Sequence, residues 1–288
     1  MHFPTAREVF TTLLAGAGVT LEESDKGRYT RRMIELWGDF ATLAADLTEG
    51  PAATLLSGWI SAGKGPGRVY QDRTYLTLAD VSTMTGGSEE SARLLMDRYL
   101  QRSIASRGLL LTCEQCLGTA FHRLEDIGPH FRCQRCRQHS PVVRSAWKGQ
   151  ELEPQWYYGL DEVAYQALRS NIHVPVLALA TLAKPAHSFQ HMPEAVVRRD
   201  GYPEIEVDLW AIVDGRIVIG EAKISDRLEP TKRKEAQRCA GLRSLIEDLS
   251  ADEFVMATTG PGWDKRTEIL VNEKIAATAK VTWLTNLR

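Results

Sequence analysis

The 288-residue chain lacks any apolar run near the ~18 residues that a membrane helix needs, so no transmembrane span is expected. Its first residues, MHFPTAREVF, lack a basic segment followed by an apolar core; the expectation is a chain without a secretory signal that works in the cytoplasm. Neither sign of charge is in excess. The 35 Lys and Arg against 37 Asp and Glu give a net charge of −2, which excludes a polycation and leaves nucleic-acid contact to local patches. Cysteine is scarce, at five, and the odd count with two tight pairs excludes a small disulfide framework. What is present, 43% hydrophobic and 25% charged residues, suits a soluble globular protein long enough for two domains or one domain with appended modules.

Residues 1–60 read as a helical region. Thr5 and Glu8 have capping-box spacing, and Met33, Leu36, Trp37, Phe40, Leu43 and Leu47 form one stripe of a helix from about Thr30 to Leu47. This region carries no evident chemistry, so packing or contact with a protein partner is expected of it. SAGKGPGR at 61–68 is a linker. Residues 61–112 then read as helix, Gly-Gly turn, helix starting at Ser88, and strand. That order is winged-helix-like and suits DNA contact, or else a spacer or dimerisation role.

Residues 113–150 hold CEQC and CQRC, with sixteen residues between them. Two Cys-x-x-Cys knuckles at this spacing bring four thiolates to one tetrahedral ion, so Cys113, Cys116, Cys133 and Cys136 read as ligands of a structural Zn²⁺ in a zinc ribbon. Cys239, alone on a later helix, reads as a small buried residue. Residues 101–150 are also basic. Arg102, Arg107, Arg123, Arg132, Arg135, Arg137, Arg144 and Lys148, eight in all, outnumber Glu114, Glu125 and Asp126 by five. A second basic run, TKRKEAQR, spans 231–238, and either run is also explained as a solvated face.

From Trp156 onward the pattern is mixed α/β. GLDEVAYQALRSN (159–171) reads as an amphipathic helix, HVPVLALATLA as helix or strand, and EAVVRRD as a strand. Strands at 204–213 and 216–224 are joined by Asp214-Gly215, a strong type I′ hairpin signal. In that register Asp208 faces Glu221, and Glu206 faces Lys223. Opposed carboxylates repel unless a cation lies between them, and Mg²⁺ or Mn²⁺ suits such oxygen ligands. Asp208, Glu221 and the backbone carbonyl of Ala222 would be its ligands, with Lys223 beside them to orient a water or stabilise a phosphate. A surface hairpin with a Glu206–Lys223 ion pair is the plainer alternative. A basic helix (231–249), the strand EFVMATT, a helix near 265–277 and the strand KVTWLTNL complete the chain.

Asp208, twelve intervening residues, then Glu221-Ala222-Lys223 resembles the PD-(D/E)XK nuclease superfamily, nearest to its Mrr-like, restriction-endonuclease-like branch; Val207 stands where a proline is common. The resemblance implies an α/β, restriction-endonuclease-like αβββαβ core over 151–288, preceded by the zinc ribbon and the mostly helical N-terminal part. It further implies a metal-dependent deoxyribonuclease leaving a 5′-phosphate, in a prokaryotic defence or restriction setting. It offers Glu162, on the first helix, and Gln237, on the helix after the motif, as further catalytic residues, with a solvated Glu162 as the alternative. Lys232, Arg233, Lys234 and Arg238 would meet the DNA backbone. The family's analogy also admits a homodimer or a multi-subunit complex. A non-catalytic DNA-binding or assembly subunit with a vestigial nuclease fold is the rival.

Overall fold

The computed structural model describes residues 3–61, 67–70, 73–147 and 153–288; Lys148 and most of the expected linker at 61–68 lie outside them. In chain order the elements begin with α1 (Ala6–Gly16), β1 (Thr20–Glu23), α2 (Asp25–Trp37), α3 (Phe40–Leu47) and α4 (Pro51–Ile60). Then follow β2 (Arg68–Tyr70), β3 (Arg73–Tyr75), α5 (Leu78–Thr85), α6 (Glu89–Gln101), β4 (Ala105–Thr112), β5 (Thr119–Arg123), β6 (His130–Arg132) and β7 (His139–Pro141). Next come β8 (Tyr157–Leu160), α7 (Glu162–Arg169), α8 (His173–Ala183), β9 (Phe189–Met192), β10 (Ala195–Arg198) and β11 (Ile205–Val207). The chain closes with β12 (Leu209–Val213), β13 (Arg216–Lys223), α9 (Lys232–Leu249), β14 (Glu253–Thr258), α10 (Lys265–Lys274) and β15 (Lys280–Leu284).

These elements form two compact units, 1–34 with 167–288, and 35–166. The first is discontinuous. Residues 1–34, expected to belong to a helical region reaching residue 60, instead add α1, β1 and the start of α2 to the C-terminal unit. The capping box of Thr5 and Glu8 starts α1 as expected. The long helix expected over 30–47 is two helices, because Gly38 adopts a left-handed φ of 92° and Asp39 caps the second.

The discontinuous unit centres on a five-stranded sheet of order β15-β14-β13-β12-β9. β9, β12 and β13 run antiparallel, and β14 and β15 add in parallel. On one face Trp210, Ile219, Phe254 and Met256 pack against Phe10 and Leu14 of α1 and Cys239, Leu242 and Ile246 of α9. Phe10 meets Trp210 edge to face at 5.0 Å. Each such side chain, taken fully from water, contributes about 1.5–3 kcal/mol. On the other face lies α8, the apolar run left open between helix and strand. It packs across β12, β13 and β14 and buries Val174, Val176 and Leu177. A second sheet, β1-β10-β11, stands beside the first.

In the other unit, α5, the Gly-Gly turn, α6 capped by Ser88, and β4 follow the expected order. Gly159 and Leu160, expected to open a helix, are instead the end of strand β8, paired with β4. Leu109 and Leu111 of β4 pack with Phe131 and Ala146 to form the small core beside the cysteine knuckles.

Candidate active site

The Asp214-Gly215 turn sets the hairpin in the expected register, with Val213 opposite Arg216 and Leu209 opposite Gly220. Both turn residues have positive φ, 50° and 78°, as a type I′ turn requires. Asp214 Oδ1 accepts the backbone N–H groups of His187 and Ser188 at 2.8 Å each.

The ladder stops one residue short of the acids. Asp208 lies in a bend between β11 and β12, where the chain leaves the three-stranded sheet and enters the five-stranded one. Trp210 Nε1 donates to the carbonyl of Val207 at 3.0 Å and braces the bend. Glu206 therefore pairs across to Val196 of β10, not to Lys223 as the hairpin register alone implied. Alternation carries Glu221 to the α9 side of the sheet, the side of Ile219.

Asp208, Glu221 and Lys223 do converge. Lys223 Nζ donates to Asp208 Oδ2 at 2.7 Å and stands 2.9 Å from Glu221 Oε2. The N–H of Ala222 donates to Asp208 Oδ2 at 2.9 Å. Asp208 is 4% exposed and Glu221 0%. The cation expected between the two acids is thus supplied here by the Lys223 ammonium. Burial opposes its charge, but Glu221 and Asp208 hold its pKa above the ordinary lysine value. Burial likewise opposes the charge of Asp208, yet Lys223 and the hydrogen bonds to it keep its carboxyl below the usual range. Glu221 Oε2 is buried, and the Lys223 ammonium 2.9 Å away is its ion-pair partner.

Four further residues join this cluster, and none was singled out from the sequence for the place it takes. Glu194, between β9 and β10, is 4% exposed, and its carboxyl bonds Glu206 and Asp208. Burial, the bond to Glu206 and the charge of Asp208 push its pKa up to about 9, so it holds a proton at neutral pH. Ser24 Oγ donates to Glu194 Oε1 at 2.7 Å. From the first turn of α2, Lys26 Nζ lies 3.5 Å from Glu194 Oε2 and 3.4 Å from Glu206 Oε1. Gly27 makes that approach possible, since a Cβ there would stand 2.1 Å from the Glu194 carbonyl oxygen. Arg238, expected at a DNA backbone, instead turns inward and bonds both Glu221 Oε1 and the Glu206 carbonyl. Glu206, Asp208 and Glu221 thus face Lys26, Lys223 and Arg238, with Glu194 protonated.

The other sequence candidates sit elsewhere. Glu162 belongs to the 35–166 unit, where its carboxylate pairs with Arg73 and accepts from Gln166 at 2.8 Å. Gln237 is exposed on α9 and lines a cavity beside Arg238. Lys232, Arg233 and Lys234 are exposed in the first turn of the same helix. On α6, Arg93 pairs with Glu89 and Arg98 with Asp46, while Arg102 binds the Trp37 carbonyl. Glu90 and Asp97 are exposed on the same helix, so its outward face is not basic.

The four cysteines form the second centre. All four Sγ atoms lie within 4.8 Å of one another and could hold a metal ion such as zinc. A tetrahedron with Zn–S bonds of about 2.3 Å has edges of about 3.8 Å, and the Cys113–Cys136 and Cys116–Cys133 separations are 3.6 Å. Each knuckle closes alike. Leu117 and Arg137, immediately after the second cysteine, have φ of 55° and 64°, and their N–H groups reach back to the carbonyls of Cys113 and Cys133. A hydrogen bond from Ser140 and the backbone of Cys116 push the Cys113 thiol down to about 6, toward the thiolate a metal takes. Among the described residues no other group of three His, Cys, Asp or Glu places its ligand atoms so close together. His122, His130 and His139 are not part of it.

No family model matches the chain. No curated protein matches it either. Among solved structures, protein VC1899 from Vibrio cholerae is similar with a TM-score of 0.40 at 15% identity. Can2 from Sulfobacillus thermosulfidooxidans, in complex with cyclic tetra-adenylate, is similar with a TM-score of 0.32 at 10% identity. In both cases 96% of this chain is covered, and it spans 57% of the neighbour's length. At these values the chemistry of the site rests on this chain's own residues. Among the described residues no helix is long and apolar enough to cross a membrane.

Proposed function

We propose that the chain is a metal-dependent phosphodiesterase that acts on DNA, with a structural zinc ion in its cysteine knuckles. The observation that carries this reading is the convergence of Asp208, Glu221 and Lys223 on one buried site at a bend between two sheets. The five-stranded sheet supports it, with α8 ahead of antiparallel β9, β12 and β13, then α9 and parallel β14. The expected first strand, EAVVRRD, is β10 and lies with β11 in the second sheet, and β9 takes its place. That resemblance is also the ground for a prokaryotic defence setting.

Asp208, Glu221 and the Ala222 carbonyl would hold a magnesium or manganese ion, since an all-oxygen donor set suits a hard cation. Such an ion supplies an activated water and offsets charge on the scissile phosphate. Lys223 has a defined share in this. Its ammonium lies 2.7 Å from Asp208 Oδ2 and 2.9 Å from Glu221 Oε2. It orients the water and donates to a phosphate oxygen. Arg238 fixes the Glu221 carboxylate in place.

Incubation with plasmid and Mg²⁺ tests the assignment. Wild type should cut, and Glu221→Ala and Lys223→Ala should each lose about 100-fold or more. Equal cutting by all three proteins would overturn the site.

One observation favours a second reading, a DNA-binding or assembly subunit that does no chemistry. With Glu194 protonated, three carboxylates already face three cations, so the cluster is balanced without a metal. Mn²⁺ titration followed by electron paramagnetic resonance separates the two. An Mn²⁺ signal lost in Asp208→Asn supports the nuclease, and no binding together with no cutting supports the inert subunit.

A further inference from the structure

Beside the carboxylates, α9 and the segment between β10 and β11 enclose a cavity of about 690 Å³. Arg238 belongs to both places. It bonds Glu221 in the cluster and forms part of the cavity wall, so one side chain separates the two. The floor is apolar, made by Val19, Val197, Ile205 and Leu245. The rim carries the Gln237 amide, the Ser244 hydroxyl, the Lys234 ammonium and the carboxylates of Glu229 and Glu204, the latter paired with Arg198. Tyr202 also lines it, 67% exposed, with the Arg199 guanidinium 5.6 Å from its ring centre. Arg199 is itself held by Asp248.

The size falls within the roughly 300–1,000 Å³ of small-ligand sites. An apolar floor, an exposed aromatic ring and a few amide and hydroxyl groups suit a nucleobase. The floor and Tyr202 take its faces, and Gln237 and Ser244 meet its edge. The ammonium of Lys234 at the rim suits the phosphate that follows. A base inside a duplex offers no free ring to such a cavity, whereas an unpaired or flipped base does.

We infer that this cavity is a base-binding subsite that takes one unpaired nucleobase of the strand whose phosphate lies at Asp208 and Glu221. Single-stranded or locally opened DNA is then the preferred substrate. This rests on the nuclease reading, and binding can be scored apart from it. The full chain is titrated in Ca²⁺ with a short single-stranded oligonucleotide carrying 2-aminopurine at a central position, and cutting is measured separately in Mg²⁺.

The expected result is a change in 2-aminopurine fluorescence on binding, with the single strand held more tightly than the matching duplex. Ser244→Phe, which fills the cavity, and Tyr202→Ala, on an exposed position where folding is safe, should each bind about tenfold more weakly. Two outcomes overturn the subsite: no binding of the single strand, or both variants binding as wild type does. If wild type cuts in either case, the nuclease reading still stands. If wild type does not cut but binding falls in Ser244→Phe and Tyr202→Ala, the subsite stands and the nuclease reading falls.

Discussion

Glu194 holds its proton to about pH 9, against an ordinary value of 4.5. The folded state thus binds a proton that the unfolded chain releases between these values. The stability this group contributes is therefore fully present below pH 4.5 and lost as pH rises toward 9. Glu194→Gln keeps the shape and an N–H donor for Glu206 and Asp208 while removing the titration. Its melting temperature should exceed that of wild type near pH 8, and the gain should vanish by pH 4.5. A thermal melt across pH checks both ends, and equal melting throughout would show Glu194 ionised in the fold. Neither Glu194 nor Lys26 was legible in the sequence. They meet across 168 positions, and no local pattern encodes such a meeting. Asp208, Glu221 and Lys223 were legible because one tight turn ties them together.

The strands carry the next level of constraint. Asp214-Gly215 encodes a register, and the register held as far as Leu209 opposite Gly220. The bend at Asp208 did not show, because it depends on β10 drawing β11 into another sheet, a pairing set by strands outside the hairpin. Gly220, one residue before the Glu-Ala-Lys triplet, has its own reason. A Cβ there would stand 2.2 Å from the carbonyl oxygen of Val255, within the parallel pairing of β13 and β14. Gly220→Ala should cost about 3 kcal/mol or more, seen as a lowered denaturant midpoint, because both strands are central and neither can shift. A midpoint within experimental error of wild type would mean that β14 yields.

On the scale of the molecule, the cysteine knuckles were readable from spacing alone, since each pair of ligands is local. The division of the chain was not: 1–34 looked continuous with the helices that follow, and the strand partners of β1, with the packing of α1 on the five-stranded sheet, assign it elsewhere. Metal analysis should find one zinc per chain, absent in Cys133→Ser. Stripping it with a chelator should lower the melting of the 35–166 unit, since four thiolates around a metal are worth on the order of 10 kcal/mol. Unchanged melting of a fully stripped protein would make the knuckles ornamental.

The discontinuity of the other unit bears on how the protein is born. Lys26 leaves the ribosome long before Glu194, and Arg238 and the last strands emerge later still. A nascent chain therefore carries Lys26 without a member of the charge cluster to pair it until Glu194 follows, 168 positions later. A truncated product, however well its middle folds, would lack the assembled charge cluster.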